Sequence, residues 1–146
     1  MATLLHQTWK SKVDIPHNLR AWSDTFTAVN PGLLRRLYDD EDNRRLVQGF
    51  SKALVGLYDR LPLEIFRVDL VRAVYLFKDG GVYADMDFHC LRSLREIEES
   101  AFGVTLGRMG SDSTFEHSLP NAFMASKPGR GFWLGYLAVI DEIASK

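Results

Sequence analysis

FRVDLVRAVYLFKDGGVYADMDFHC, residues 66–90, is the stretch that decides the fold. Apolar residues recur at helical spacing over Leu63–Lys78, which predicts an amphipathic helix whose apolar stripe faces a core. Gly80 provides a C-terminal stop for this helix, and Gly81 allows the backbone to reverse into a short strand, Val82–Ala84. The stripe consists of Phe66, Leu70, Ala73, Val74 and Phe77. A helix, a tight turn and a buried strand are therefore expected in succession.

Two carboxylates, Asp85 and Asp87, follow the predicted strand. In extended backbone, residues of equal parity share a face, so the two side chains are expected to project together where the strand ends. Adjacent carboxylates repel each other unless a cation lies between them. Mg²⁺ and Mn²⁺ prefer oxygen ligands, and Mg²⁺ is commonly held by one or two carboxylates together with substrate phosphates. The pair therefore indicates a site for a divalent cation and a diphosphate.

The preceding helix adds a second pair of charges, Asp69 and Arg72. Residues three apart are neighbours on one flank of a helix, so this pair can lie beside Asp85 and Asp87. A surface ion pair is the simpler interpretation. The more specific one is that Arg72 supplies a cation for a phosphate and that Asp69 accepts a hydrogen bond from a sugar hydroxyl.

Helical and strand-like segments alternate along the rest of the chain, which predicts an α/β fold with mainly parallel pairing. The acidic run Asp39–Asp42 is expected to form the N-cap and first turn of a helix. A polar loop over Gly107–Pro120 is a candidate cover for a substrate. The other predicted strands are Thr3–Trp9, Leu33–Tyr38, Ala101–Leu106 and Asn121–Ala125. The other predicted helices are His17–Val29, Asn43–Phe50, Ser51–Arg60, Ser93–Ser100 and Gly131–Ala144.

Size and composition are those of one ordinary globular domain of 146 residues. A formal net charge of −1 gives no general attraction to nucleic acid or to an anionic membrane. The single cysteine, Cys90, excludes an internal disulfide and fits a reducing compartment. No apolar run approaches the ~18 residues of a membrane span, and the N-terminus lacks a signal-peptide pattern. No phosphate-binding glycine loop, zinc-protease motif or serine-hydrolase motif is present.

Three segments, in this order, carry a resemblance to a known family: LLHQTWK (residues 4–10), the stretch 66–90 and NAFMASKPG (residues 121–129). Together they resemble glycosyltransferase family 32, the glycosyltransferase sugar-binding region containing a DXD motif. The spacing Asp-x-x-Arg before Gly-Gly-x-Tyr-x-Asp-x-Asp is also similar to the glucosylating domains of large clostridial toxins. The resemblance implies a GT-A-like, Rossmann-like catalytic domain over residues 1–146 that ends before the C-terminal part of its relatives.

The same resemblance implies a metal-dependent, retaining hexosyltransferase that moves a sugar from a UDP- or GDP-sugar to a glycan, lipid or protein acceptor. Asp87 would bind Mn²⁺ or Mg²⁺ directly, and Asp85 would bind it partly through water or hold the ribose. Asp69 would take sugar hydroxyls, and Arg72 would neutralise phosphate. The remaining donor contacts implied by the resemblance are Gln7, Thr8, Trp9 and Asn121.

Two other functions fit parts of the pattern. One is a nucleotide-sugar binding module without catalysis. The other is a Mg²⁺-dependent phosphatase with Asp-x-Asp after a strand, although His89 and Cys90 fit that motif badly and Asp69 and Arg72 would be unexplained. A bacterial or viral member would be cytoplasmic, whereas a chain separated from an N-terminal anchor would belong to the Golgi lumen.

Overall fold

The computed structural model describes residues 3–98, 103–110 and 119–146. Strands and helices alternate within these ranges, as the sequence predicts. The strands are β1 Leu4–Thr8, β2 Leu34–Tyr38, β3 Gly81–Ala84, β4 Val104–Leu106 and β5 Phe123–Ser126. The helices are α1 His17–Val29, α2 Asp40–Phe50, α3 Lys52–Arg60, α4 Glu64–Lys78, α5 Arg95–Glu98 and α6 Gly131–Ala144. None of the described helices is both long enough and apolar enough to cross a membrane.

The five described strands form one sheet in the order β2-β1-β3-β5-β4. Strand β1 pairs in parallel with both β2 and β3, whereas β5 pairs in antiparallel fashion with β3 and β4. Four of these strands therefore run in the same direction and only β5 is reversed. The predicted mixed, mainly parallel α/β sheet is confirmed.

Each face of the sheet is covered by its own apolar core, because strand residues alternate between the two faces. Tyr83 and Met124 point to the side where α2, α3, α4 and α6 pack. Val82 and Ala125 point to the other side, where they meet Phe26 of α1. The result is a three-layer arrangement in which the carboxyl ends of β1 and β3 lie at one edge.

Helix α4 is enclosed on all sides over 70–76, where seven consecutive residues are buried. The predicted inward positions Leu70, Ala73 and Val74 are confirmed, and Phe77 is half-buried. The prediction for Phe66 is wrong, because this side chain is 43% exposed. The first turn of α4 is exposed, and burial begins only at Leu70.

The turn between α4 and β3 depends on two glycines with positive φ, Gly80 at 64° and Gly81 at 93°. A Cβ on Gly81 would lie 2.3 Å from the carbonyl oxygen of Leu4, so the strands approach each other too closely for a side chain. The Nε2–H group of His6 donates to the carbonyl of Gly80 at 2.8 Å. The predicted helix stop and reversal are confirmed, and β1 holds the turn in place.

The remaining boundaries differ from the predictions in small ways. Asp39 and Asp42 form a capping box at the start of α2, as expected for the acidic run. The predicted continuation into α3 is interrupted at Ser51, which is extended and accepts a hydrogen bond from the N–H of Leu54. Asn121 lies in a turn before β5 rather than in the strand. Parts of the predicted segments Ser93–Ser100, Ala101–Leu106 and Gly107–Pro120 lie outside the described residues.

Candidate active site

A buried arginine, Arg72, lies at the centre of the candidate site, where α4 faces the carboxyl end of β3. Its side chain is only 5% exposed. One terminal nitrogen donates to the carboxylate of Asp85 at 3.0 Å. The other donates to the side-chain oxygen of Asn121 at 2.5 Å and to its backbone oxygen at 3.2 Å. These partners offset the large cost of burying a guanidinium charge.

Asp69 completes this cluster from the turn of α4 preceding Arg72. Its carboxylate lies 3.2 Å from Arg72 and accepts a hydrogen bond from the side-chain N–H₂ of Asn121 at 2.8 Å. The side chains of Asp69 and Asp85 are 27% and 29% exposed, so both acids reach the surface from a buried base. The structure therefore joins four residues predicted from the sequence, although they come from three separate segments.

Tyr83 is a site residue for which the sequence analysis gave no role. Its hydroxyl donates to the Asp85 carboxylate at 2.5 Å, and its ring lies beneath the guanidinium of Arg72 at 4.8 Å. A cation over the face of an aromatic ring is attracted by the ring quadrupole. The signal was available, since Tyr83 precedes Asp85 by two residues and belongs to the spacing quoted above.

The two carboxylates after β3 do not follow the expected extended geometry. The backbone turns after Ala84, and the N–H of Phe88 donates to the carbonyl of Asp85 at 3.3 Å. The N–H of Asp85 itself donates to Ala122 at 2.9 Å, which ties the turn to the segment before β5. Asp85 is half-buried and Asp87 is exposed. The premise of extended backbone through Asp87 is therefore wrong, although the charge of Asp87 still acts on Asp85.

The surroundings of Asp85 act on its pKa in opposite directions. Burial raises the pKa of the Asp85 carboxyl, while the charge of Arg72 and the hydrogen bond from Tyr83 act in the opposite direction. The negative charge of Asp87 raises the Asp85 pKa further. One oxygen of Asp85 receives both hydrogen bonds, and its other oxygen has no partner among the described residues. The Asp87 carboxylate likewise has no hydrogen bond or ion pair there.

These free oxygens fit a hard divalent cation that takes its other ligands from a substrate and water. Asp85 and Asp87 are therefore the side chains that could hold a metal. Within residues 3–98, 103–110 and 119–146, no group of three or more His, Cys, Asp or Glu side chains is arranged to hold one. His89, which has the parity of the two aspartates, is exposed.

The end of β1 lies beside this cluster, because His6 pairs with Tyr83 and the two strands continue in parallel. The hydroxyl of Thr8 donates to the carbonyl of Tyr38 at 3.1 Å. Trp9 follows the strand, is half-buried and donates its indole N–H to the carbonyl of Asp14 at 2.9 Å.

Gln7 lies elsewhere. It is fully buried, its side-chain oxygen accepts a hydrogen bond from Ser23, and its amide nitrogen has no partner among the described residues. Thr8 and Trp9 are therefore at the edge that bears the acidic cluster, whereas Gln7 faces α1.

Comparison with known proteins gives related sequences of two kinds. Inositol phosphoceramide mannosyltransferase 3 of Schizosaccharomyces pombe is 33% identical over 91 residues, which cover 62% of this chain and 25% of that protein. Inositol phosphoceramide mannosyltransferase 2 of the same yeast is 25% identical, covering 94% and 42%. A glycosyltransferase of Acanthamoeba polyphaga mimivirus is 26% identical, covering 86% and 49%. The chain thus spans at most about half the length of these relatives.

The solved structure of PaToxG Glycosyltransferase shares the fold, with a TM-score of 0.69 over 97% of this chain and 60% of that one, at 16% identity. This likeness confirms the predicted GT-A-like architecture. Residues 6–102 match the family described as "Glycosyltransferase sugar-binding region containing DXD motif". That match includes the end of β1, helix α4 and the turn bearing Asp85 and Asp87, and it confirms the resemblance found in the sequence. The chain belongs to this family of glycosyltransferase sugar-binding regions.

Proposed function

We propose that this chain is the donor-binding part of a metal-dependent, retaining glycosyltransferase that uses a UDP- or GDP-sugar. Its membership of a glycosyltransferase family supports sugar transfer over the phosphatase that the Asp-x-Asp pair alone would allow. The observation that carries the proposal is the hydrogen-bonded cluster of Asp69, Arg72, Asp85 and Asn121. It lies at the carboxyl end of a parallel strand, which is the usual ligand-binding edge of an α/β sheet.

In this proposal the chain fixes the donor before any bond changes. Asp69 accepts hydrogen bonds from sugar hydroxyls and is itself oriented by Asn121. Arg72 keeps Asp85 and Asn121 in place and contributes one positive charge beneath the expected position of the diphosphate. Tyr83 and the backbone contact to Ala122 hold Asp85 from two further directions. Asp69 and Asp85 therefore need little reorganisation when the donor binds.

Asp87 and the oxygen of Asp85 that has no partner among residues 3–98, 103–110 and 119–146 would hold Mn²⁺ or Mg²⁺. Such an ion, when bound, stabilises the negative charge that develops on the departing diphosphate. Transfer breaks the bond between the anomeric carbon and the diphosphate oxygen, and the diphosphate leaves with the electron pair. A bond to the acceptor oxygen forms, and the proton of the acceptor hydroxyl passes to the departing diphosphate. Retention of configuration, implied by the family resemblance, requires the acceptor to attack from the face that the diphosphate leaves. We assign no nucleophile to this chain.

The names of the relatives suggest which substrates to test first. Two are inositol phosphoceramide mannosyltransferases. A mannose nucleotide and a lipid carrying phosphoinositol are therefore the first donor and acceptor to test for this chain. UDP-glucose, UDP-galactose and UDP-N-acetylglucosamine are the comparison donors.

Replacing Asp87 by alanine tests the metal role. We expect Asp87→Ala to abolish the Mn²⁺-dependent part of donor affinity without lowering the free energy of unfolding, because Asp87 is exposed and its removal relieves repulsion with Asp85. The measurement is calorimetric titration of GDP-mannose and UDP-glucose with and without Mn²⁺. Glu142→Ala, which removes an exposed carboxylate from α6, is the matched control.

Unchanged Mn²⁺-dependent affinity in Asp87→Ala would eliminate the metal role. Donor hydrolysis and sugar transfer measured on the same samples separate an enzyme from a binding module. Binding with no turnover toward any of the acceptors tested would favour the binding module.

A further inference from the structure

A polar side chain, Asn43, is enclosed inside the helical layer above β1. It belongs to α2 and is only 1% exposed. Its amide nitrogen donates to the hydroxyl of Thr8 at 2.9 Å, and its oxygen accepts a hydrogen bond from the hydroxyl of Tyr75. A buried amide costs free energy unless both ends are paired, and here both ends are paired. Asn43 is therefore held in one orientation by two other elements, β1 and α4.

The hydrogen bond to Thr8 continues to the edge of the sheet. Because the hydroxyl of Thr8 accepts from Asn43, its own proton is directed to the carbonyl of Tyr38, at 3.1 Å. The same carbonyl accepts the backbone N–H of Trp9 at 3.0 Å. The backbone at the end of β1 is thus fixed on one side by α2 and on the other by β2, and Trp9 leaves the strand from that fixed point.

The second partner, Tyr75, connects Asn43 to the aromatic layer beneath the site. The Tyr75 ring stacks on Tyr38 and His6, with centroids 4.3 Å and 5.2 Å apart. It lies 6.3 Å from the ring of Tyr83, which contacts Asp85. Asn43 is therefore linked to the acidic cluster only through the packing of the Tyr75 and Tyr83 rings, whereas it is linked to Thr8 by a directional hydrogen bond. Asn43 is directly coupled to the β1 side of the site and only indirectly to the β3 side.

We propose that Asn43 is a positioning residue for the nucleoside end of the donor site, acting through Thr8 on Trp9. This inference rests on the proposed function and on the donor contacts that the family resemblance implies for Thr8 and Trp9, of which the indole ring of Trp9 offers a flat face suited to a base. Asn43 does not act as an apolar packing residue, because its side chain meets the hydroxyls of Thr8 and Tyr75, and an apolar replacement would leave both without this partner. A fully paired polar network instead selects one arrangement of the elements that it joins.

The test separates the nucleoside end of the donor from its diphosphate end. The proteins compared are the wild-type chain, Asn43→Leu and Thr8→Val. For each of them, calorimetry in the presence of Mn²⁺ measures the affinity for UDP, for GDP and, separately, for inorganic diphosphate. Both substitutions keep the number and branching of the side-chain heavy atoms and remove the hydrogen bond between Asn43 and Thr8. Asn43→Leu also removes the hydrogen bond from Tyr75. We expect the dissociation constant of the bound nucleotide to rise on the order of tenfold in each variant, the loss of about one buried hydrogen bond. We expect that of inorganic diphosphate to stay within about twofold.

Ser126→Ala is the matched control for a lost buried hydroxyl. Ser126 is 9% exposed and accepts the indole N–H of Trp133 at 2.9 Å. It pairs with Gly81, at the end of the sheet opposite to the site. We expect Ser126→Ala to lower the free energy of unfolding by about as much as Thr8→Val, because each removes one buried hydroxyl. Nucleotide affinity should not change in the control.

Each outcome decides whether Asn43 positions the nucleoside end of the donor site or only maintains the fold. Equal weakening of nucleotide and diphosphate binding would show that Asn43 only maintains the fold, and unchanged nucleotide binding would likewise overturn the inference. If Asn43→Leu does not fold, Asn43→Ala replaces it in the same titrations, because Thr8 is itself an implied donor contact and Thr8→Val alone would not isolate the role of Asn43. A wild-type chain that binds diphosphate with Mn²⁺ but neither nucleotide would overturn the positioning role while leaving the metal site standing. A wild-type chain that binds none of them would overturn the proposed function itself.

Discussion

Replacing Gly81 by alanine is expected to destabilise this protein far more than the same change at Gly32. Both glycines have positive φ, 93° and 87°. An L-residue pays roughly 1–2 kcal/mol for such a conformation. A Cβ on Gly32 would have nothing within 4 Å, so this backbone term is the whole expected cost. Gly32→Ala is therefore the matched control for conformation without a clash.

At Gly81 the surroundings add a second cost. The new Cβ would lie 2.3 Å from the Leu4 carbonyl oxygen, and relief requires β1 and β3 to separate by about 1 Å. The β1–β3 ladder is short, with pairs only at Leu5–Val82 and His6–Tyr83. The hydrogen bond from His6 to Gly80 would be strained as well. Two or three weakened hydrogen bonds at about 1 kcal/mol each bring the total to roughly 4 kcal/mol.

Urea denaturation followed by circular dichroism measures both variants at pH 7. Because a domain of this size has a total stability of roughly 5–15 kcal/mol, Gly81→Ala is expected to remain folded only marginally, or not at all. A difference of less than about 1 kcal/mol between Gly81→Ala and Gly32→Ala would refute the reasoning from the close approach of β1 and β3. Where Gly81→Ala still folds at low temperature, its Mn²⁺-dependent donor affinity should fall, because the two aspartates lie in the turn that directly follows β3.

Three further predictions concern the buried polar groups. Burial lowers the pKa of His6 to about 4, below its usual 6.5, so the unfolded chain takes up a proton at a higher pH than the folded one. The free energy of unfolding should therefore fall by about 3 kcal/mol in all as the pH drops from 6.5 towards 4. His6→Gln should flatten this dependence in urea denaturation. Arg72→Lys should cost about 2 kcal/mol, measured in the same way, because an ammonium cannot contact Asp85 and Asn121 together. Tyr83→Phe should weaken Mn²⁺-dependent donor binding a few-fold in calorimetry, because Asp85 loses one of the donors that orient it.

The sequence predicted correctly those parts of the fold that depend on local patterns. Helical spacing, a glycine pair and a short β-prone run were sufficient for α4, the turn and β3, and the acidic run correctly placed the start of α2. Periodicity identifies the face of a helix but not the point along it where neighbours begin to cover it. That is why Phe66 was wrongly placed in the core.

The errors and omissions at the site come from contacts between distant segments. Asp85 leaves the extended conformation where its N–H pairs with Ala122, 37 positions away in sequence, and no local pattern reveals that pairing. Asn43 contacts Thr8 across 35 positions, and in the sequence it reads only as a helical residue after an acidic cap. The contact between Arg72 and Asn121 spans 49 positions. Only the family resemblance grouped those two residues in advance.

The charge balance of the cluster explains why a cation should be required together with the donor. Asp69, Asp85 and Asp87 bring three carboxylates to the end of β3, and within the cluster Arg72 supplies one positive charge that is already shared between Asp69 and Asp85. A diphosphate brought to this surface would therefore meet a net negative charge and be repelled. The three carboxylates and Arg72 sum to a charge of −2, which a divalent ion held at Asp87 would cancel. Removing Asp87 should accordingly abolish the contribution of Mn²⁺ to binding, whereas removing Asp69 should weaken binding of the sugar while leaving the Mn²⁺ dependence in place.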